Sequence, residues 1–204
     1  KSVAQKSMSS YSGKKTAPTS EETKAYTKVQ SATDALKDSA DKLMKTGTNS
    51  VFAKKDVTVK DENGIESTVK EYDKESIYSA VNSFVTNYNS VIQAVDKTDS
   101  DTVMRRVTSM MNSTSGHLKS LLAVGISVNT DGTLELDKKA FMEADMSTAK
   151  SLFNGTGSYA YSVSSQASMI NYAADREASK GSMYTTKGTY GANYNNGNLY
   201  NGWF

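Results

Sequence analysis

Cysteine is absent from the chain, so no disulfide, thiolate metal site or cysteine nucleophile can form. Histidine occurs once, at His117, which removes every site that needs two imidazoles. The only proline is Pro18. No apolar run approaches the roughly 20 residues that a membrane-spanning helix needs. An excess of one charge is also missing: 24 Lys+Arg against 22 Asp+Glu leave a net +2. That balance argues against a nucleic-acid or anionic-membrane partner, and no run of adjacent basic residues is longer than a pair such as Lys14-Lys15.

What replaces these residues is small and polar. Hydrophobic residues make up 37%, while 29 Ser, 21 Thr and 14 Asn fill the deficit. The 204 residues suffice for one domain with arms, and the composition points to an extended, well-solvated shape. A cysteine-free chain suits export in an unfolded state or life on a cell surface, and equally a small cytosolic domain. The first residue is Lys1, which leads us to expect that an upstream segment has been removed.

Residues 1–19 are rich in Ser, Lys and Gly and are expected to form a flexible arm. A single helical-bundle domain is expected over 20–180, with hairpins at about 50–72 and 125–137, followed by a tail over 181–204. Thr19 and Glu22 have the spacing of a capping box, opening a helix to about Lys45. Along it Val29, Leu36 and Leu43 recur every seven residues, Glu21 and Glu22 suit its start, and Lys42, Lys45 and Gly47 suit its stop. Val57, Val59, Ile65, Val69 and Tyr72 then alternate around Glu62-Asn63-Gly64, which reads as a β-hairpin, with Phe52 anchoring the approach to it.

The strongest helical stripe is Ile77, Val81, Phe84, Val85, Tyr88, Val91, Ile92 and Val95, with Asp73 as its N-cap. At ~1.5 Å per residue it is about 30 Å long. Another helix starts near Ser100, with Val103, Val107, Met110, Met111, Leu118, Leu121 and Leu122 as its apolar face and Gly116 as a break or bend. A second hairpin follows, turning at Asn129-Thr130-Asp131-Gly132. Short helices are expected from Asp137 to Ala144 and from Asp145 to Phe153. The last helix, 158–180, carries Val163, Ala167, Ile170 and Ala174 on a thin face that requires a close neighbour. The fold class expected is therefore α+β, mainly α: an elongated helical bundle with two β-hairpins. Its first helix should pack against the helices at 76–96 and 158–178.

Chemistry-bearing patterns are few. With Gly132 at the sixth place of a calcium loop, Lys138 falls at the twelfth, where a bidentate carboxylate must sit. The segment reads as a hairpin turn, and no metal or cofactor is expected. His117 beside Gly116 reads as a partly exposed histidine at a helix break. Ser-x-x-Lys recurs, at 12–15, 67–70 and 147–150 among other places, as chance allows in a Ser- and Lys-rich chain, and no Gly-x-Ser-x-Gly elbow exists. Glu135 and Asp137 share a strand face, but Lys138 and Lys139 follow and no aromatic platform surrounds them. No catalytic residue is assigned.

The tail is different in kind. Tyr184, Tyr190, Tyr194, Tyr200, Trp203 and Phe204 alternate with Gly and Asn, without helical period and with little charge. Such residues offer flat contact area at low entropic cost. Tyr190, Tyr194, Tyr200, Trp203 and Phe204 are the candidate contacts for a protein partner or a glycan, against the plainer reading that the tail folds back onto the body.

Asn82-Ser83-Phe84-Val85-Thr86-Asn87-Tyr88-Asn89-Ser90-Val91-Ile92 resembles the signature helix of the flagellar filament cap family, hook-associated protein 2. Gly125-Ile126 followed by Asp131-Gly132-Thr133-Leu134-Glu135-Leu136-Asp137 is similar to that family's hairpin, and Leu152-Phe153-Asn154-Gly155 to the end of its next helices. The resemblance covers about residues 73–160, in the family's order and spacing, and looks like a shortened form of the family's C-terminal part. Family members carry large β-rich domains where this chain has only residues 47–72, and a terminal coil where it has the aromatic tail. The resemblance implies a non-enzymatic structural role at a flagellum or on the cell surface, outside the cell. The implied partners are flagellin or other hook-associated proteins, and further copies of the chain. The alternative is a cell-surface glycan-binding or adhesion module that uses the tail.

Overall fold

The computed structural model describes residues 18–60, 62 and 65–180. Three long helices form the body: α1 (Ser20–Met44), α2 (Lys74–Val95) and, at the end, α7 (Tyr159–Ser179). Between α1 and α2 lie a 3-10 turn (Gly47–Asn49) and the hairpin β1 (Lys55–Lys60)–β2 (Glu66–Glu71). Between α2 and α7 come α3 (Asp101–Ser115), α4 (Leu118–Ala123), the hairpin β3 (Ile126–Val128)–β4 (Leu134–Leu136), α5 (Lys138–Glu143) and α6 (Met146–Phe153). The fold is α+β and mainly α, with two small antiparallel two-stranded sheets among the described residues.

Each long helix starts where a side chain can satisfy its orphan amides. Thr19 and Glu22 form the reciprocal capping box, with Thr19 Oγ1 accepting from the Glu22 amide at 3.2 Å and Glu22 Oε2 from the Thr19 amide at 2.6 Å. Asp73, Ser100, Asp137, Asp145 and Ser158 cap α2, α3, α5, α6 and α7 one way only, each side chain accepting from a first-turn amide. The other end of α1 departs from the expected glycine stop. Its C-cap is Lys45 in an extended conformation, and the last carbonyls turn to a distant residue. Asn154 Nδ2 lies 2.8 Å from the Leu43 oxygen and 2.6 Å from the Lys45 oxygen.

The three long helices bury one continuous core. Val29, Leu36 and Leu43 of α1 are fully buried, as is most of the stripe from Ile77 to Val95. α1 packs against both α2 and α7. The alanines of α7 explain the closeness of that second contact: Ala160, Ala167, Ala173 and Ala174 are buried along it. Polar residues fix the register. Gln30 Nε2 donates to Asp175 at 3.1 Å, Asn171 Nδ2 reaches the Thr33 hydroxyl at 2.9 Å, and Asn87 Nδ2 donates to the Ala35 carbonyl at 3.0 Å. The first two pairings run α1 antiparallel to α7, and the chain turns back through the β1–β2 hairpin from α1 into α2. At ~1.5 Å per residue the 25-residue α1 is about 37 Å long. One pole therefore holds the start of α1 and the end of α7; the other holds the β1–β2 hairpin.

That hairpin is a solvated structure. Its register pairs Val57 with Val69 and Thr58 with Thr68, and only Val59 and Val69 are even half-buried. Charge pairs stand directly across it, Lys60–Glu66 at 2.9 Å and Lys70–Asp56 at 3.4 Å. Ile65 is 64% exposed. The Asn63-Gly64 turn expected here lies outside the described residues. Phe52, fully buried, anchors the approach as anticipated.

One expected apolar face is corrected. Leu118 and Leu122 do not join the core with Leu121; Leu122 is 61% exposed. α3 stops at Ser115, and Gly116 and His117 restart the chain as α4 in a new phase. Only Leu121 then points inward, because the stripe extrapolated across the break no longer applies.

Candidate interaction surface

One side chain ties α2 to the second hairpin by hydrogen bonds at both its amide atoms. Asn89, on α2, donates from Nδ2 to the Leu134 carbonyl at 2.8 Å and accepts the Leu134 amide on Oδ1 at 2.7 Å. A side-chain amide thereby completes the backbone pairing of β4, whose strand is only three residues long. The hairpin is closed at its other end by the Asp137 amide donating to the Gly125 carbonyl at 2.9 Å. Gly125 has a φ of +74°, and a Cβ there would lie 2.9 Å from both the Ala140 methyl and the Phe141 nitrogen.

The neighbouring residue of the same motif, Tyr88, faces inward. Its hydroxyl lies 3.0 Å from Thr114 Oγ1, which in turn lies 3.0 Å from the Tyr159 hydroxyl. Thr114 donates to the Met110 carbonyl at 3.0 Å, so its oxygen is left to accept from both tyrosines. Burial pushes the Tyr88 phenol up to about 12, partly offset by the Thr114 bond. Burial, then the neighbouring Tyr88, raises Tyr159 well above the usual tyrosine range. Phe84, Phe153 and Tyr159 surround this chain of hydroxyls edge to face, with centroids 5.6 to 6.1 Å apart.

His117 packs against Tyr159 at 5.1 Å between ring centroids, and its Nδ1 lies 2.8 Å from the Ser113 carbonyl. Beside it opens a cavity of about 180 Å³ that Ser120, Thr148 and Ser151 also line. Hydroxyls and one imidazole meet there, and no carboxylate among the described residues lines it. The Ser-x-x-Lys pairs do not form sites either. Ser67 and Lys70 are three residues apart on β2 and so lie on opposite faces, and the Ser147 hydroxyl is bonded to Asp145. The pair at 12–15 lies outside the described residues.

The calcium-like turn holds itself together. Asp131 Oδ1 accepts from the Thr133 amide at 2.9 Å and from its hydroxyl at 2.6 Å, and these bonds hold its carboxyl below the usual range. Asp137 is occupied as a cap, accepting from the Ala140 amide at 3.0 Å, while Glu135 points to solvent. Among the described residues no three metal-capable side chains converge, and no helix is long and apolar enough to cross a membrane.

The surface that offers contact area lies on the outer side of α7. Tyr161, Met169 and Tyr172 are large and exposed there, Met169 by 47% and Tyr172 by 63%. Spaced by eight and three residues, they share one helical stripe opposite the buried alanines. Arg106 of α3 donates to the Met169 sulfur at 3.7 Å, and the Arg176 guanidinium lies 5.9 Å from the Tyr172 ring centre. A groove of about 320 Å³ runs between α3 and α7 from Met169 to Lys180. Sequence reading missed it, since the signal was confined to Met169 and Tyr172 falling off the buried period. The contacts it favoured instead, Tyr190, Tyr194, Tyr200, Trp203 and Phe204, lie outside the described residues.

Compared with known proteins, the chain matches no family model, no curated protein and no solved structure.

Proposed function

We propose that this chain is a non-enzymatic structural protein of the flagellar filament cap type, acting outside the cell by protein–protein assembly in a flagellum or at the cell surface. The observation that supports this reading most is the bond between its two signature pieces. Asn89 of the Tyr-Asn helix clamps Leu134 of the Asp-Gly-Thr-Leu hairpin, so the motif residues serve as structural pins. The shape supports it as well. A stiff antiparallel bundle gathers the start of α1 and the end of α7 at one pole and extends a charged hairpin at the other. Flagellin, other hook-associated proteins and further copies of the chain are the partners we propose.

Sedimentation across a concentration series, alone and with purified flagellin monomers, tests the assignment. Self-association or a flagellin complex is expected. A chain that stays monomeric and ignores flagellin, while its only tryptophan, Trp203, responds saturably to mucin or cell-wall sugars, would instead be the glycan-binding module.

A further inference from the structure

We propose that the free edge of β1 is a contact between two copies of the chain, in which Asp56-Val57-Thr58-Val59-Lys60 pairs antiparallel with the same five residues of a second copy about a two-fold axis at Thr58. The inference rests on the assembly reading only in taking a second copy as partner, and flagellin binding tests that reading separately.

The strand offers an open edge. Among the described residues β1 and β2 pair only with each other, so each keeps a row of backbone N–H and C=O groups on its outer side. No helix among the described residues makes an extended contact with either strand, and every residue of β1 except the half-buried Val59 is exposed. A two-stranded hairpin is marginal by itself and gains from a further strand. Strand addition is also a general mode of recognition, in which backbone bonds give affinity and side chains choose the partner.

The side chains of β1 choose β1. With Thr58 opposite Thr58 of the second copy, residue 56 stands across from 60 and residue 57 across from 59. Asp56 therefore meets Lys60 of the second copy, twice, and Val57 meets Val59, twice; pairs directly opposite are the ones that stabilise a sheet. The period of two puts the charges on one face and the valines on the other. Asp56 already faces Lys70 at 3.4 Å, and Lys60 faces Glu66 at 2.9 Å. The charged face would then run Lys70, Asp56, Lys60 of the second copy, Glu66 of the second copy, alternating in sign across all the strands. Lysine on an edge ordinarily repels an added strand, but here an opposite charge stands equally far from Thr58. The other edge fits less well. Pairing β2 on itself about Thr68 matches Glu66 with Lys70 but sets Val69 against Ser67. Pairing β1 on β2 sets Val59 against Ser67 and leaves an edge open at each end, whereas β1 on β1 closes as a two-fold dimer.

Because the chain has no cysteine, one introduced thiol reports the geometry. Residues directly opposite have Cα atoms about 4.5–5.5 Å apart, inside the roughly 4.4–6.8 Å that a disulfide accepts. Full-length Thr58→Cys, concentrated and mildly oxidised, is expected to form a disulfide dimer. Thr68→Cys, its directly opposed neighbour on β2, should stay monomeric. Charge gives the second arm. Asp56→Lys and Lys60→Asp each turn two attractions between copies into two repulsions, and each should weaken self-association about tenfold at low salt. An equimolar mixture of the two should recover it, since two ammonium groups then face two carboxylates; a damaged hairpin would not recover. Failure of Thr58→Cys to cross-link, equal cross-linking at both positions, or cross-linking only between mixed Thr58→Cys and Thr68→Cys chains would overturn the proposal. A mixture of the charge variants no stronger than its components would overturn it equally. Loss of flagellin binding with this cross-link intact would count against the assembly role and leave the contact standing.

Discussion

Asn89 and Leu134, 45 positions apart, exchange two hydrogen bonds, so a helix side chain stands in for a missing neighbour strand. The β3–β4 sheet has only two strands of three residues each, and a pair that short is marginal by itself.

Removing this clamp should loosen the hairpin. Asn89→Ala leaves the Leu134 amide and carbonyl without their partner, which is expected to cost about 1–3 kcal/mol. Asn89→Asp keeps the acceptor but turns a carboxylate toward the Leu134 carbonyl, so it should be more harmful at neutral than at acid pH. Urea unfolding gives the magnitude, and hydrogen exchange at Leu134 shows whether the loss is local.

Thr114 is the second test. It accepts from Tyr88 and Tyr159 while donating to Met110. Thr114→Val matches its shape but strands two buried phenols, an expected loss of about 2–4 kcal/mol. Thr114→Ser restores the oxygen and should recover most of it. Equal stability of the valine and serine variants would show that the hydroxyl chain contributes nothing.

Alkaline pH should unfold the protein through its tyrosines. Tyr26 is raised to about 12 by burial first, then by Glu177, Glu22 and Asp99, and Tyr88 to about 12 by burial. Both exceed the ordinary value of about 10. The phenolate is thus favoured by the unfolded chain, and the stability held below pH about 10 is lost as pH rises toward about 12. Absorbance of phenolate should therefore show these tyrosines ionising together with the loss of helix, after the exposed tyrosines have titrated.

Acid pH acts through the caps. Asp73 is held well below the usual carboxylate range by the Lys55 ammonium at 2.6 Å and by the Ser76 amide and hydroxyl. A depressed carboxyl contributes above its unfolded value of about 4 and loses that contribution as pH falls below it. Asp131 and Asp145 are depressed in the same direction. Asp73→Asn should flatten the acid limb of the stability curve; an unchanged limb would remove Asp73 from the account.

Two glycines with similar φ should respond differently to alanine. Gly47 (φ +72°) faces open space, so Gly47→Ala meets only backbone strain, about 1 kcal/mol. At Gly125 (φ +74°) the new methyl also meets Ala140 and the Phe141 backbone, and the loss should reach about 3 kcal/mol or more. Thermal midpoints of the two variants measure the difference.

Elements whose signals are local could be read directly from the order of residues. Periodic apolar residues on α1, α2 and α7, the capping box at Thr19 and the aspartate and serine caps all depend on neighbours within one or two turns, and each stands where its spacing put it. Tertiary structure decided what depends on distant partners. Asn154 closes α1 from 109 residues away, the break at Gly116–His117 turns Leu122 outward, and Thr114 joins two tyrosines from separate helices. The cleft between α3 and α7 exists only because those helices lie side by side. A single chain of letters carries no distances, and hydrogen bonds and grooves are made of distances.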